Sequence, residues 1–284
     1  MKIRFVSVFL LFLVSASCSL FAQPQGAGLS KTVNGGMDWV LINKQDGGSG
    51  SMAGANISKL EFDPKSPEIV YSGSYNGGIF ISQDSGETWK NILNKINVYD
   101  FGINANDTKV IYAAGAFGGV GKVLKTTDGG KSWVQKYSEA VETTPVRSMA
   151  INPSNQNNII IGTESGNVIR SNDGGESWQF IKNFQSRIAR VYWTGAGVFV
   201  LVRDMGLFKG SGVADDFKLI TSPLKSENLL DQFSQKGAVG NFNQAYIDPF
   251  TSNLIYITSD KGLFKSTDGG VSWNTVKLPA KQED

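Results

Sequence analysis

Apolar and polar residues alternate in short runs along most of this chain, and turn-forming residues separate the runs. The alternation in residues 57–62, ISKLEF, predicts a strand with one buried face. Asp63–Pro64 begins a turn, because proline lacks the donor that a central strand needs. Residues 68–74, 78–82 and 89–93 predict three more strands. One unit of the chain is therefore four short strands joined by tight turns.

The same four-part layout returns along the chain. Four further units are predicted, with strands at Val98–Phe101, Val110–Ala114, Gly121–Thr126 and Trp133–Tyr137; Val146–Ile151, Ile159–Gly162, Asn167–Ser171 and Trp178–Ile181; Ile188–Trp193, Val198–Val202, Gly206–Lys209 and Phe217–Ile220; and Asn243–Ile247, Leu254–Thr258, Gly262–Ser266 and Trp273–Val276. An N-terminal copy, Gly28 to Ile42, contains only the last two strands of a unit. The insert from Leu224 to Gly240 is a candidate for the missing pair.

An octapeptide marks the third turn of each unit. Its clear copies end at Trp89, Trp133, Trp178 and Trp273, and weaker copies end at Trp39 and Phe217. Successive closing aromatics are 50, 44, 45, 39 and 56 residues apart. A period in the forties with four strands per unit is typical of a β-propeller. We therefore expect an all-β fold, with residues 23–284 forming one propeller of six four-stranded blades, one of them irregular or incomplete.

The octapeptide has a structural explanation. In the first clear copy, Asp84 can accept hydrogen bonds from backbone N–H groups two or three residues on, and Gly86 can adopt a positive φ. Ser82 can bond across the hairpin, and Trp89 can pack between neighbouring sheets. We expect structural roles for the aspartates and tryptophans of the clear copies: Asp84, Trp89, Asp128, Trp133, Asp173, Trp178, Asp268 and Trp273.

The first 22 residues are predicted to be a signal peptide. Lys2 and Arg4 precede an apolar stretch that is too short to span a membrane, and Ala22 precedes a cleavage site. Lipoprotein processing at Cys18 is a second interpretation, although Ser15 stands where leucine is usual. The expected location is secreted, periplasmic or cell-surface, without a transmembrane helix in the mature chain.

Composition excludes several kinds of chemistry. The chain has no histidine, so a Ser–His–Asp triad, a Cys–His pair or an imidazole metal site cannot be built. Cleavage after Ala22 removes Lys2, Arg4 and the single cysteine, and leaves 25 basic and 25 acidic residues. A net charge of zero argues against nucleic acid as a partner. No metal or cofactor is expected.

The octapeptides match the pattern Ser/Thr–x–Asp–x–Gly–x–x–Trp, the Asp-box. With the flanking sequence ISKLEFDPKSPEIVYSGSYNGGIFISQDSGETW, the chain resembles Asp-box (BNR-repeat) propellers of the sortilin-type and xyloglucanase-like group from about Gly28 to Val276. The resemblance implies a fold more than an activity, because this motif occurs in sialidases, xyloglucan hydrolases, sorting receptors and photosystem assembly factors. The last group lacks the Asp–Pro turn seen at Asp63–Pro64, which makes it the third choice.

A sialidase would need an arginine triad and a tyrosine nucleophile, and its usual Arg–Ile–Pro motif is absent here. The mature chain has five arginines, all between Arg147 and Arg203. Arg147 and Arg190 lie near the starts of first strands, close to the channel of a propeller, and Tyr192 is near Arg190. They are candidates for a carboxylate- or anion-binding patch. Ordinary ion pairs, on the surface or between blades, are the favoured alternative.

A xyloglucanase-like hydrolase would need two carboxylates across a cleft. Glu164, Asp204 and Asp260 stand in equivalent second-to-third turns, which suggests a shared turn role instead, and no catalytic pair is assigned. Asn76 stands where the resemblance implies a carboxylate.

The leading hypothesis is an exported, non-catalytic propeller that binds a protein or glycan on one ring face. Its candidate ligand-binding residues are Arg147, Arg190, Tyr192, Trp193, Asp204 and Asp260, with Tyr75 and Phe117 as further loop aromatics. A core position is the favoured alternative for Trp193. The rival hypotheses are a glycoside hydrolase that acts through carboxylates, and a purely structural module of a cell-surface assembly.

Overall fold

The computed structural model describes residues 28–46, 51–94, 96–142, 144–221, 241–251 and 253–277. These residues form 22 β-strands and no helix. The strands assemble into five four-stranded antiparallel sheets and one two-stranded sheet. The predicted signal peptide at 1–22, with Cys18, and the insert at 224–240 lie outside the described residues.

Each four-stranded sheet is one blade, and consecutive strands of the chain are neighbours within it. Blade 1 consists of β3 (Ile57–Phe62), β4 (Val70–Ser74), β5 (Gly78–Ser82) and β6 (Lys90–Leu93). Blade 2 consists of β7 (Asn97–Ile103), β8 (Ile111–Phe117), β9 (Val120–Thr126) and β10 (Val134–Glu142). Blade 3 consists of β11 (Val146–Asn152), β12 (Asn155–Thr163), β13 (Asn167–Ser171) and β14 (Gln179–Asn183).

Blade 4 consists of β15 (Ile188–Thr194), β16 (Gly197–Val202), β17 (Gly206–Gly210) and β18 (Lys218–Leu219). Blade 5 consists of β19 (Phe242–Ile247), β20 (Ile255–Ser259), β21 (Gly262–Ser266) and β22 (Asn274–Thr275). The two-stranded sheet, called the half-blade below, pairs β1 (Ser30–Lys31) with β2 (Val40–Leu41). These elements confirm an all-β propeller with four-stranded blades. Five full blades are described, and the sixth remains a prediction.

The first strand of each blade is its innermost strand. Strands β3, β7, β11 and β15 each contact the first strand of the next blade in the series. Because the first two strands of a blade are antiparallel, the start of the first strand and the end of the second lie at the same end of the sheet. Residues at these two places in successive blades therefore converge on one face of the propeller, near its centre.

The core lies between blades. In one cluster, Tyr71 and Ile79 of blade 1 pack with Val98, Phe101 and Ile111 of blade 2. Similar clusters lie at the other blade boundaries. Burial of this apolar surface is the main stabilising contribution, because a single four-stranded sheet cannot cover both of its own faces.

The prediction of one buried face for β3 was wrong in detail. Ser58 is buried, whereas Phe62 at the end of the strand is 45% exposed. The reason is the position of β3 in the propeller, where an innermost strand is covered on both faces by its neighbours. The burial of each side chain then depends more on how far along the strand it lies than on which face it occupies.

Candidate functional site

The Asp-box is a closed network of local hydrogen bonds. In blade 1, the Ser82 hydroxyl donates to Asp84 Oδ1 at 2.7 Å, and the Gly86 N–H donates to Ser82 Oγ at 2.8 Å. The Thr88 N–H donates to Asp84 Oδ1 at 2.8 Å. Asp84 thus accepts from a backbone N–H four residues ahead, not two or three residues ahead as predicted, because its carboxylate spans the whole turn. Gly86 has the predicted positive φ, 94°.

The box tryptophans join one blade to the next. Trp89 is 1% exposed, and its indole N–H donates to the carbonyl of Ile42 in the half-blade at 2.7 Å. Trp133 donates in the same way to Ile92 of blade 1 at 2.9 Å. The donors and acceptors of these boxes are thus used within the fold.

A cavity of about 320 Å³ lies on the face where first strands begin and second strands end. Its lining comes from all five described blades and consists of Tyr75, Tyr99, Arg147, Arg187, Ala189, Arg190, Arg203, Phe242, Asn243 and Gln244. Four of these ten residues are arginines and none is acidic. The cavity is therefore a strongly basic, aromatic-edged site, and we call it the arginine cavity.

Arg147 is held by two contacts at the edge of the arginine cavity. Its guanidinium lies over the ring of Tyr99, 4.3 Å from the ring centroid, and its Nε donates to Glu164 Oε2. Tyr99 in turn packs edge-on against Tyr75, with 5.1 Å between ring centroids. The aromatic pair and the carboxylate fix the orientation of the guanidinium.

Arg190 belongs to a buried ionic network below the cavity. Its Nη1 lies 3.8 Å from Asp100 Oδ2, and Lys59 Nζ lies 3.1 Å from Asp100 Oδ1. The Ser148 hydroxyl and the Met149 N–H also donate to Asp100 Oδ2, at 2.7 Å and 3.0 Å. Burial alone would raise the pKa of Asp100, but the Lys59 and Arg190 charges outweigh it and hold this pKa below its ordinary value.

The charges of Arg187 and Arg203 are less fully balanced by acidic partners than those of Arg147 and Arg190. The Nε of Arg187 is buried and makes no hydrogen bond within the described residues, and the distance from this atom to Glu164 Oε2 is 3.6 Å. Burial and the nearby Arg147 charge lower the pKa of Arg187. No ion pair of Arg203 is found in the described part of the chain. Guanidinium N–H groups at this face can therefore still donate to an acceptor on a ligand.

Comparison with known proteins agrees with this architecture. A family model described as Sortilin-Vps10 (Sortilin, neurotensin receptor 3) matches residues 77–204. Xyloglucanase Xgh74A of Acetivibrio thermocellus is 27% identical over 167 residues, which cover 51% of this chain and 19% of that protein. An ancestral GH74 enzyme of known structure has a TM-score of 0.60 at 17% identity, over 78% of this chain and 31% of that one.

The chain is similar to the Asp-box propellers of the sortilin-type and xyloglucanase-like group. The GH74 enzyme of Niastella koreensis has a TM-score of 0.47 at 18% identity, over 90% of this chain and 48% of that one. The chain spans about a fifth of the length of the curated relatives it matches, 19%. At 17% identity the solved structure shows the fold alone.

Of the predicted ligand-binding residues, Arg147 and Arg190 line the arginine cavity together. Tyr192 and Trp193 do not line it. The Tyr192 hydroxyl accepts a hydrogen bond from the Ala245 N–H at 2.9 Å, and burial raises the pKa of this tyrosine to about 12. Trp193 packs against the core between blades 3 and 4, with the Arg170 guanidinium 5.9 Å from its ring centroid.

The carboxylates proposed for an Asp-box hydrolase have turn partners. Asp204 accepts a hydrogen bond from Ser186, and Asp260 lies 3.4 Å from the side-chain amide of Asn241. Asn76, at the position where the xyloglucanase-like group would suggest a carboxylate, accepts from Ser74 and from the Asn56 N–H. None of these residues lines the arginine cavity.

Two further observations concern other kinds of site. No group of three or more potential metal ligands occurs in the described ranges. No helix of membrane-spanning length and apolarity occurs in that part of the chain either.

Sequence reasoning did not single out Tyr99, Arg187 and Arg203. A positional signal for them exists in the repeats. Tyr99 and Arg187 stand at the starts of first strands, and Arg203 follows the end of a second strand. Superposing the units by strand position would have grouped these residues with Arg147 on one face.

Proposed function

We propose that this chain is an exported, non-catalytic recognition propeller that holds a carboxylate group of a protein or glycan partner in the arginine cavity. The observation that carries the proposal is the lining of the cavity, which has four guanidinium groups and no carboxylate. Arginine presents a planar fork of donors that matches a carboxylate in two parallel hydrogen bonds. A volume of about 320 Å³ is at the lower end of the range of small-ligand sites, enough for one charged group and its neighbours.

The existing carboxylates near the cavity do not neutralise it. Glu164 is shared by Arg147 and Arg187, and Asp100 is shared by Arg190 and Lys59. Lys59 also pairs with Glu61, so with Arg203 included three acids face five bases, which leaves an excess of positive charge in a partly enclosed space. Field lines concentrate in such a cleft and draw an anionic group toward it.

The aromatic residues support binding of a larger partner around this group. Tyr75, Tyr99 and Phe242 all line the cavity, and the two tyrosine rings pack edge-on against each other. Tyrosine offers an apolar ring and a polar end, which suits both a sugar face and a peptide. Asn243 and Gln244 add neutral hydrogen-bonding groups beside the arginines.

A second candidate function is glycoside hydrolysis, and similarity to xyloglucanase Xgh74A is the observation in its favour. It would require a general acid and a second carboxylate across a cleft. Asp204 and Asp260 are the candidate acids of this proposal. If Asp204→Asn and Asp260→Asn leave every cleavage activity of the chain unchanged, this assignment is wrong.

The proposal includes the expected organisation of the whole chain. Residues 1–22 direct export, with cleavage after Ala22 or processing at Cys18, and residues 23–284 form one domain. The half-blade is the described part of a sixth blade.

The two functions are separated by one experiment. The chain from Gln23 to Asp284 is incubated with xyloglucan, polygalacturonate and a sialylated polysaccharide, and both released sugar and retained binding are measured. The recognition proposal predicts binding of an anionic polymer without release of sugar. Release of sugar from any of the three would overturn it. Peptides with a free terminal carboxylate, and the same peptides as amides, extend the test to protein partners.

A further inference from the structure

The contact between successive units follows one rule. Each box tryptophan donates its indole N–H to the carbonyl of the residue that lies three positions after the box aromatic of the preceding unit. The four examples are Trp89 to Ile42 at 2.7 Å, Trp133 to Ile92 at 2.9 Å, Trp178 to Lys136 at 2.8 Å, and Trp273 to Ile220 at 3.0 Å. The acceptor residue lies in or next to the outer strand of its unit.

The glycine at the fifth position of each box takes part in the same joint. A Cβ built on this glycine would meet the side chain of that same acceptor residue, at 2.7 Å for Gly86 and Ile42 and at 2.8 Å for Gly130 and Ile92. The distances are 3.4 Å for Gly175 and Lys136, and 2.9 Å for Gly270 and Ile220. Each box is therefore a receptor that takes one side chain and one carbonyl from the outer strand of a neighbouring unit.

The half-blade contains a box, with Asn34 at the aspartate position, whose receptor holds no side chain from another unit among the described residues. The Gly36 N–H donates to Thr32 Oγ1 at 2.9 Å, and the Asp38 N–H donates to Asn34 Oδ1 at 3.0 Å, so the turn has the same internal bonds as the others. Gly36, however, meets only its own Trp39 within 4 Å. The Trp39 indole donates to the Gly36 carbonyl at 3.0 Å, and the side chain is 49% exposed.

Exposed apolar side chains surround this receptor. Met37 is 81% exposed, and Val33, Val40 and Leu41 are also among the exposed large apolar residues. In the box of blade 3 the position of Met37 is occupied by Glu176, which pairs with Lys136 at 2.6 Å. The half-blade therefore presents an apolar version of a joint that carries an ion pair in blade 3.

The chain also contains an unused partner for this receptor. Val276 lies three positions after Trp273, at the acceptor place of the last unit. Its N–H donates to Leu263 at 2.8 Å, and no hydrogen bond to its carbonyl is found in the described residues. Val276 is aliphatic, like Ile42, Ile92 and Ile220 at three of the four filled joints.

We propose that the Gly36–Trp39 receptor binds the Trp273–Val276 strand of a second copy of this chain. Within the described part of one chain, no hydrogen bond or ion pair joins the half-blade to blade 5, so the receptor and the strand do not pair with each other there. Two copies that exchange these strands satisfy both receptors at once and form a closed pair with two-fold symmetry. We assign the strand of a second copy to the receptor because each chain carries one receptor and one matching strand.

The test is sedimentation equilibrium of the full chain and three variants. The chain itself is expected to form dimers whose fraction rises with concentration. Met37→Lys with Val276→Lys places like charges on both sides of the joint, and is expected to weaken dimerisation at least about tenfold. Met37→Glu with Val276→Lys reproduces the Glu176–Lys136 pair at the same positions, and is expected to remain within about threefold of the unmodified chain. Val134→Lys, at an exposed valine of blade 2, is the control and should leave dimerisation unchanged.

Two results would overturn the proposal. One is a monomer at all concentrations. This result includes the case where the receptor binds the strand of its own chain and closes the ring. In that case the two-lysine variant would lower the melting temperature without any change in mass. The other is a dimer that the two-lysine variant and the opposite-charge variant affect equally. Circular dichroism of each variant establishes that it is folded.

Discussion

Arg147 stacks on Tyr99, with the guanidinium carbon 4.3 Å from the ring centroid. The ring orients the guanidinium without neutralising it, because the attraction comes from the quadrupole of the ring and leaves the charge available. Tyr99→Leu is therefore expected to weaken binding of a carboxylate probe about two- to fivefold, which corresponds to about 0.5–1 kcal/mol. Tyr99→Phe keeps the ring and should bind as the unmodified chain does. The measurement is titration calorimetry with oligogalacturonate, and equal binding by the leucine and phenylalanine variants would contradict this role.

Asp100 is the centre of the ionic network that spans blades 1 to 4. Asp100→Asn leaves Arg190 without its buried counter-charge, so we expect a loss of about 3–5 kcal/mol in the free energy of unfolding. Ser148→Ala removes one hydrogen bond to the same carboxylate and should cost about 1 kcal/mol. Urea unfolding followed by tryptophan fluorescence measures both variants. A loss for Asp100→Asn no larger than that for Ser148→Ala would show that the network does not stabilise the fold.

The Asp-box carboxylates predict how stability depends on pH. The Ser272 hydroxyl and N–H, with the Ser266 hydroxyl, lower the pKa of Asp268 to about 2, and equivalent bonds from Ser132 and Ser177 hold the pKa values of Asp128 and Asp173 below their usual range. These folded-state values lie below the unfolded value of about 3.9. The stabilisation is therefore present above about pH 4 and is lost as the pH falls toward the folded values.

We accordingly expect a melting temperature that is nearly constant from pH 7 to pH 5 and that falls steeply below pH 4. Ser272→Ala removes the donor hydroxyl at one box and should reduce the difference between the melting temperatures at pH 5 and pH 3. A melting temperature that does not fall between pH 4 and pH 2 would be inconsistent with these shifts.

Two adjacent glycines of one box give a matched test of the joint between blades. Gly129 and Gly130 both have a positive φ, 73° and 91°. A Cβ on Gly129 meets nothing within 4 Å, whereas a Cβ on Gly130 would lie 2.8 Å from Cβ of Ile92. Gly130→Ala is therefore expected to destabilise the protein by about 1–3 kcal/mol more than Gly129→Ala, because only the former adds a clash to the backbone strain. Chemical denaturation measures the difference, and equal losses would mean that the box does not contact the preceding blade closely.

Local features of this fold could be predicted from the sequence, and long-range ones could not. The boxes and hairpins depend on residues within eight positions of one another, so Asp84, Gly86 and the four-strand layout follow from pattern and turn chemistry. The contacts of Asp100 with Lys59 and Arg190 join residues 41 and 90 positions apart in three blades, and no periodicity indicates them. The alternation of apolar and polar residues indicates which face of a strand is buried, but it does not indicate which blade packs against that face.

The arginine cavity, too, could be predicted from the sequence only in part. Arg147 and Arg190 could be placed near the channel because they lie near the starts of first strands. The sequence also favoured surface ion pairs for them, and Arg147 does pair with Glu164. It could not indicate that Arg187 and Arg203 face the same space, because that depends on the loops that precede β15 and follow β16.

Binding of a carboxylate probe by matched arginine variants is the most direct test of the central claim. Titration calorimetry compares oligogalacturonate with its methyl ester, and a peptide with a free terminal carboxylate with its amide. Arg203→Lys alters a cavity arginine for which no ion pair is described, and Arg170→Lys alters the one described arginine outside the cavity. The account predicts binding of at least one free carboxylate, loss of binding when that carboxylate is masked, and at least about tenfold weaker binding for Arg203→Lys alone. Equal affinity for free and masked probes, or equal effects of the two substitutions, would contradict it.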